Sequence, residues 1–209
     1  KGASQNKPLF VLVRVLRGIF VSAIMETDMN ITADFLKPEQ IVAGFGLKKG
    51  DHVADFGAGH GYFALALAAA VGREGKVWAV DIQPSALDMA RSRAMSLHVL
   101  NIEYVRADLE APDPSPIPER FMDFVLVGNI LFQVAEKENI LREARRVLRE
   151  RGRMAMIEWD AATNGLLGPP AASRIKKQDA KALALSVGFE IDREFAAGAH
   201  HYGLLFKRP

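Results

Sequence analysis

The stretch Asp55-Phe-Gly-Ala-Gly-His-Gly-Tyr62 decides the fold of this chain. It follows a short apolar run at residues 53–56 and precedes an Ala- and Leu-rich run at residues 64–71, an order that predicts a strand, a glycine loop and a helix. A glycine loop at such a junction lets backbone N–H groups and a helix N-terminus approach a ligand closely. Asp55 stands two residues before the first glycine, where its charge would repel a pyrophosphate and attract a cation. The stretch therefore predicts a site for a positively charged ligand.

The composition is that of an ordinary folded protein. The chain has 209 residues, of which 49% are hydrophobic and 25% are charged, and these numbers predict one α/β domain with a small extension. A formal net charge of +2 is too weak to indicate a nucleic-acid surface, so no nucleic-acid partner is expected. The absence of cysteine excludes disulfides and thiolate metal sites, and the 5 histidines lack the spacing of metal ligands, so no metal is expected.

Strand-like and helix-like runs alternate from residue 51 onward. Strands are predicted at residues 52–56, 76–82, 102–106, 122–127, 153–158, 189–195 and 202–207, and helices at residues 62–71, 84–97, 136–149 and 176–187. This alternation predicts a doubly wound, Rossmann-like α/β fold with a seven-stranded sheet and helices on both faces. The last two strands have no helix between them, which predicts a hairpin and one antiparallel strand near the C-terminus of a mostly parallel sheet.

Acidic or amide side chains fall at the ends of four successive predicted strands. These are Asp55, Asp81, Asp108 and Asn129. Open α/β sheets bind ligands at the carboxyl ends of their strands, and a carboxylate in the position of Asp81 can accept both hydroxyls of a ribose. Asp108 is placed to accept an adenine amino proton, and the neighbouring Ile82 and Leu109 are placed to pack on the two faces of the base. The pattern predicts a nucleoside site.

These motifs resemble those of the class I S-adenosylmethionine (SAM)-dependent methyltransferases, most closely the UbiE-type branch, which methylates quinone precursors and other small molecules. The resemblance covers roughly residues 38–209 and includes the glycine loop, Ala79-Val-Asp-Ile82, Arg106-Ala-Asp-Leu109 and Asp123-Phe-Val-Leu-Val-Gly-Asn129. It implies SAM as the cofactor, S-adenosylhomocysteine as its product, and the following cofactor-binding residues: Asp55, Gly57, Ala58, Gly59, Gly61, Tyr62, Asp81, Ile82, Asp108, Leu109 and Asn129.

The charge of this cofactor suits the residues around the glycine loop. SAM carries a sulfonium and an ammonium group, which Asp55 and the loop carbonyls can balance, and Tyr62 and Phe132 can add cation–π stabilisation. The rival interpretation is a nicotinamide dinucleotide fold. Its fingerprint needs a third small residue at position 62, where this chain has Tyr62. The methyltransferase fold is therefore favoured.

Methyl transfer needs little acid–base chemistry, because the enzyme mainly aligns the reacting atoms and excludes water. Candidate catalytic residues are Glu158, at the end of the fifth strand, and His201 and Tyr202, at the start of the last strand. The alternative interpretation is that all three are ordinary polar residues at a strand end or in a turn, without a catalytic role. UbiE-type enzymes often carry a histidine near Phe132, so the aromatic residue here indicates an apolar substrate pocket rather than a base.

The amino-terminal region is expected to be a helical extension or lid, residues 1–37, ahead of the methyltransferase domain, residues 38–209. Met29, Asn30 and Phe35 are candidates for the substrate pocket together with Phe132. The segment 9–25 is strongly apolar but contains Arg14 and Arg17, which makes spanning a membrane costly. We expect it to contact its own domain, a partner subunit in a dimer, or a membrane surface. The protein is expected to be cytoplasmic or membrane-associated.

Three functions remain open from the sequence. The first is methyl transfer from SAM to a small apolar or amphipathic acceptor with a carbon, oxygen or nitrogen nucleophile. The second is methylation of a protein or RNA, and the third is a non-catalytic SAM-binding partner subunit.

Overall fold

A computed structural model of the chain describes residues 36–163 and 168–209. Within these ranges helices and strands alternate as the sequence predicts. The elements are α1 (Pro38–Ala43), β1 (His52–Phe56), α2 (Tyr62–Val71), β2 (Lys76–Asp81), α3 (Pro84–Ser96), β3 (Ile102–Arg106), β4 (Met122–Gly128), α4 (Lys137–Val147), β5 (Leu148–Trp159), α5 (Lys177–Ser186), β6 (Glu190–Ala196) and β7 (His201–Lys207), with single 3₁₀ turns at Leu131–Gln133 and Ala171–Ser173.

The strands of the described ranges form one seven-stranded sheet in the order β3-β2-β1-β4-β5-β7-β6. Strands β1 to β5 pair in parallel, whereas β7 runs antiparallel to both of its neighbours, β5 and β6. The predicted hairpin and the single antiparallel strand are therefore confirmed. The strand order reverses between β1 and β4, and in open α/β sheets such a reversal places a ligand crevice at the carboxyl ends of the strands.

Helices cover both faces of the sheet. The main core cluster joins alternate residues of the strands, such as Ala54 and Val125, to Ile140 and Ala144 of α4 and to Ala180 of α5. The buried residues of α2 and α3 lie outside this cluster and belong to the other face. Because side chains alternate along a strand, Asp55 is on the opposite face of β1 from Ala54.

The fourth helix ends earlier, and the fifth strand begins earlier, than the sequence predicts. Helical periodicity extends to Arg149, but Leu148 already has an extended backbone (φ −69°, ψ 137°) and pairs with Met122 of β4. The carbonyl of Val147 accepts the N–H of Phe121 at 2.8 Å. Tertiary pairing therefore overrides the local helical preference of this Arg-rich run.

No helix in the described part of the chain is long and apolar enough to cross a membrane. The apolar segment 9–25 lies outside the described residues, as do Met29, Asn30 and Phe35 of the predicted substrate pocket.

Candidate active site

The glycine loop between β1 and α2 folds across the end of β2. The N–H groups of Gly57 and Ala58 both donate to the carbonyl of Val80, at 2.9 and 3.0 Å. Gly57, Gly59 and Gly61 have φ angles of 77°, 50° and 79°, in the left-handed region that glycine adopts without steric cost. The loop shape therefore depends on glycine at these positions.

At two of these glycines a side chain would also crowd a neighbouring residue. A Cβ atom at Gly61 would lie 2.7 Å from the Cβ of Ala90 in α3. A Cβ atom at Gly57 would lie 3.1 Å from both the Cβ and the Cδ1 of Ile130, in the turn after β4. The loop is thus packed between α3 and that turn. No role was assigned to Ile130 from the sequence, because an apolar residue after a strand end carries no signal of such a contact.

Asp55 is buried at the carboxyl end of β1, with 2% of its surface exposed. Burial raises the pKa of its carboxyl to about 7, and the nearby charge of Asp81 adds to this rise, while a hydrogen bond from the backbone of Ala64 opposes it. Among the residues the structure describes, Oδ2 of Asp55 has no hydrogen-bond partner. A buried acceptor without a donor favours a ligand that brings a donor or a positive charge.

Asp81, the last residue of β2, ties the loop to the strand end. Its Oδ2 accepts the N–H of Gly59 at 2.9 Å, and its Oδ1 accepts the N–H of Gln83 at 2.9 Å. Each carboxylate oxygen can accept two hydrogen bonds, so each retains one further acceptor position. Asp81 is half-buried, and its carboxylate can therefore still accept hydroxyl protons from a ligand.

The residues predicted to surround an adenine follow the carboxyl ends of β2 and β3. Ile82 is 52% exposed directly after β2, a position open to a ligand. Asp108 is exposed after β3, and its Oδ1 accepts the N–H of Glu110 at 3.0 Å. Leu109, by contrast, is buried in the core cluster. An adenine-binding role for these three residues stays a prediction.

Tyr62, the first residue of α2, already has a cation against its ring. The guanidinium carbon of Arg93 lies 3.8 Å from the ring centroid, within the range of cation–π attraction. Arg93 comes from α3, 31 residues further along the chain, and no local pattern pairs the two. Burial of the imidazole lowers the pKa of His60 in the adjoining glycine loop, and the charge of Arg93 adds to this fall.

The turn after β4 carries Asn129 and Phe132. Asn129 adopts φ 52°, a left-handed conformation that asparagine tolerates better than most residues, and its N–H donates to Ile157 at 2.8 Å. Its side-chain Oδ1 is buried and has no hydrogen-bond partner in the described ranges. Phe132 is half-buried in the 3₁₀ turn that follows.

Glu158 is buried completely at the carboxyl end of β5. Its Oε1 accepts the N–H groups of Ile130 and Leu131, at 3.0 and 2.7 Å. Burial raises the pKa of Glu158 to about 8, although these backbone hydrogen bonds and the charge of Lys137 act in the opposite direction. Oε2 has no partner among the described residues.

His201 begins β7 opposite Trp159, and the two ring centroids are 4.1 Å apart. The imidazole is buried, and neither ring nitrogen has a partner within residues 36–163 and 168–209. Burial, assisted by the charges of His200 and Arg174, lowers the pKa of His201 to about 3, so the ring is neutral at physiological pH. Tyr202 faces the opposite side of the sheet, where its hydroxyl donates to the carbonyl of Ile175 at 3.1 Å.

The sheet therefore brings the predicted polar residues of six strands to one edge. These are Asp55, Asp81, Asp108, Asn129, Glu158 and His201. Two surface depressions, of about 500 and 600 Å³, lie elsewhere, one on α3 and one between residues 111–115 and α4. No cluster of three metal-ligating side chains occurs in the described part of the chain.

Comparisons with known proteins agree with this geometry. A model of a methyltransferase domain matches residues 53–152. The ubiquinone/menaquinone biosynthesis C-methyltransferase UbiE of Azotobacter vinelandii is 31% identical over 163 residues, which cover 71% of this chain and 63% of that protein. UbiE of Francisella tularensis subsp. novicida is 32% identical over 148 residues, covering 68% of this chain and 58% of that protein. The matches thus span about three fifths of the length of these relatives.

Solved structures show the same fold. A SAM-dependent methyltransferase from Aquifex aeolicus superposes with a TM-score of 0.81 at 25% identity, over 90% of this chain and 98% of that one. The chain belongs to the class I SAM-dependent methyltransferases and is UbiE-like.

Proposed function

We propose that the chain transfers a methyl group from SAM to a small apolar or amphipathic acceptor. The observation that carries this proposal is the buried carboxyl of Asp55, directly ahead of the glycine loop, with Oδ2 unpartnered within the described residues. A cationic ligand compensates such a group, whereas a pyrophosphate would be repelled by it.

A second unpartnered oxygen at this edge fits the same cofactor. Oδ1 of Asn129, like Oδ2 of Asp55, has no hydrogen-bond partner in the described ranges. An edge rich in acceptors suits a ligand that carries an ammonium group, hydroxyls and an amino group. We therefore assign to SAM the residues predicted from the sequence: Asp55, Gly57, Ala58, Gly59, Gly61, Tyr62, Asp81, Ile82, Asp108, Leu109 and Asn129.

Bound SAM supplies a methyl group on a sulfonium, which is already a good leaving group. The residues of this chain then have to bind and orient SAM and the methyl acceptor, and to exclude water. Asp55 balances positive charge, Asp81 receives ribose hydroxyls while it holds Gly59, and the glycine loop brings the backbone close. We assign the neutral side chain of His201 to the part of this edge that binds the methyl acceptor.

An apolar acceptor is supported by the aromatic residues near this edge and by the UbiE relatives. Phe132 is half-buried after β4, and Trp159 lies beside His201 at the end of β5. The relatives are C-methyltransferases of ubiquinone/menaquinone biosynthesis, and we extend to this chain only the class of a small aromatic or apolar acceptor.

Calorimetric titration with SAM tests the cofactor assignment. We expect binding to the wild-type chain, strong loss in Asp55→Asn, and no loss in Asp123→Asn. Asp123 is a matched control because its carboxylate also accepts a backbone N–H, from His52 at 2.7 Å, but at the opposite end of the sheet. Absence of binding at millimolar SAM would reject the proposal.

Radiolabelled SAM added to fractionated cell extract tests the acceptor class. We expect label in the small-molecule and lipid fractions. Label confined to protein or RNA would favour macromolecular methylation, and binding without any transfer would favour a non-catalytic subunit.

A further inference from the structure

One oxygen of Glu158 is fully committed to the turn after β4. Oε1 accepts the N–H groups of both Ile130 and Leu131, at 3.0 and 2.7 Å, and the side chain is completely buried. Through these two hydrogen bonds Glu158 ties the end of β5 to the turn after β4.

The turn that Glu158 holds is in contact with the glycine loop. A Cβ added at Gly57 would lie 3.1 Å from both the Cβ and the Cδ1 of Ile130, closer than ordinary van der Waals contact, so the Ile130 side chain lies directly beside this glycine. Asn129 precedes Ile130 and has a left-handed backbone, φ 52°. Displacement of the Ile130 backbone would therefore move two groups: the Ile130 side chain, which lies beside Gly57, and the side chain of Asn129.

We propose that Glu158 is a positioning residue, which fixes the turn at residues 129–132 and so sets the width of the crevice between that turn and the glycine loop. This inference rests on the proposed function, because the crevice is the one assigned to SAM. Glu158 acts indirectly. Its Oε1 is a hydrogen-bond acceptor at a fixed position at the end of β5, and this acceptor determines where Ile130 and Asn129 lie.

In this role the position of the hydrogen-bond acceptor of Glu158 matters, and the charge of its carboxyl does not. At pH 7 the carboxyl of Glu158 is mostly neutral, because burial raises its pKa to about 8. Glutamine has the same length and still offers one carbonyl oxygen, so it can hold both N–H groups. Aspartate keeps the carboxyl but is shorter by one methylene, and leucine removes the acceptor.

Calorimetric titration of S-adenosylhomocysteine into the full chain at pH 7 tests this inference. We expect Glu158→Gln to bind with nearly wild-type affinity. Glu158→Leu and Glu158→Asp should each weaken binding by roughly ten- to hundredfold, the scale seen when supporting residues misplace a site. If Glu158→Leu does not fold, the aspartate variant decides, since it retains a carboxyl at this position.

Glu143 provides a matched control. It is equally buried, but its carboxylate binds Arg146 and Ser115, at 2.6 and 2.5 Å, instead of the turn after β4. Glu143→Asp should lower thermal stability and leave the affinity for S-adenosylhomocysteine unchanged. Ile130→Ala should weaken binding, and its effect should be less than additive with Glu158→Asp if both act through one contact.

Three outcomes would overturn the inference. Wild-type affinity in Glu158→Asp would show that the acceptor position is unimportant. A loss in Glu158→Gln as large as in Glu158→Leu would assign the effect to charge. Failure of the wild-type chain to bind S-adenosylhomocysteine would reject the proposed function, and the positioning role with it.

Discussion

Asp81 accepts a hydrogen bond from the N–H of Gly59 at 2.9 Å, so the last residue of β2 holds the glycine loop that follows β1. The residue that we assign to the ribose thus also maintains the loop beside it. We therefore expect cofactor recognition and loop structure to be coupled at this carboxylate.

Replacement of Asp81 by alanine should therefore affect both affinity and stability. The N–H groups of Gly59 and Gln83 would lose their acceptor, which costs about 1.5–3 kcal/mol of unfolding free energy for each bond to a charged group. We also expect SAM binding to fall below detection in calorimetry. Asp108→Ala is the stability control, because exposed Asp108 accepts one N–H, from Glu110, and urea denaturation should show a much smaller loss.

Gly61→Ala should be strongly destabilising because it introduces both strain and overlap. The new Cβ would lie 2.7 Å from that of Ala90, at φ 79°. We expect about 1–2 kcal/mol from the left-handed backbone and about 1–3 kcal/mol from overpacking. Gly50→Ala separates the two effects, since Gly50 has φ 89° and no atom within 4 Å of the added Cβ. Equal losses in both variants, measured by chemical denaturation, would contradict the proposed packing of the loop on α3.

The affinity for SAM should rise with pH between about 5.5 and 7. The pKa of Asp55 is about 7 in the folded chain, so below this pH a bound cation has to displace a proton from the carboxyl. Below pH 7 the affinity therefore falls by up to about tenfold for each unit by which the pH decreases. Calorimetry in buffers of different ionisation enthalpy should detect proton release on binding. Asp55→Asn should bind weakly without this pH dependence, and a flat wild-type profile would contradict the role of Asp55.

The free energy of unfolding should decrease as the pH rises through the neutral range. Burial raises the pKa of Asp55 from 3.8 to about 7 and that of Glu158 from 4.5 to about 8. Between these values the folded state binds more protons than the unfolded state. The stabilisation is complete below about pH 4 and is lost as the pH rises through 7 and 8, on the order of a few kcal/mol. Urea denaturation at pH 5 and pH 8 measures this loss, and Glu158→Gln should reduce it.

His201→Phe should stabilise the chain while impairing methyl transfer. The ring is buried beside Trp159, and neither nitrogen has a partner within the described residues, so removal of both nitrogens saves about 1–3 kcal/mol. The pKa of His201 is lowered from 6.5 to about 3, so the unfolded state takes up the extra proton and stability falls as the pH drops below about 6.5. Thermal melts of His201→Phe should not show this loss of stability at acidic pH. Unchanged transfer of label would exclude His201 from the acceptor site.

The element pattern and the family could be predicted because their signals are local. Glycines at residues 57, 59 and 61, the apolar strands and the acidic strand ends are all visible in the sequence, and the fold and the family are confirmed. The end of α4 at Val147 was predicted two residues too late, because pairing of Leu148 with Met122 depends on the assembled sheet. The contacts of Ile130 with Gly57 and of Arg93 with Tyr62 join distant segments, and no sequence periodicity records them.

The sequence by itself determined the order of strands and helices, the glycine loop and the acidic residues at the strand ends, since each follows from backbone preference and the side-chain period. Only the tertiary structure decided which of these groups are buried and which remain without partners. Burial makes Asp55 titrate near neutrality and commits Glu158 to the turn after β4. Desolvation and hydrogen bonding depend on what packs around a residue, and that is fixed by segments far away in the chain.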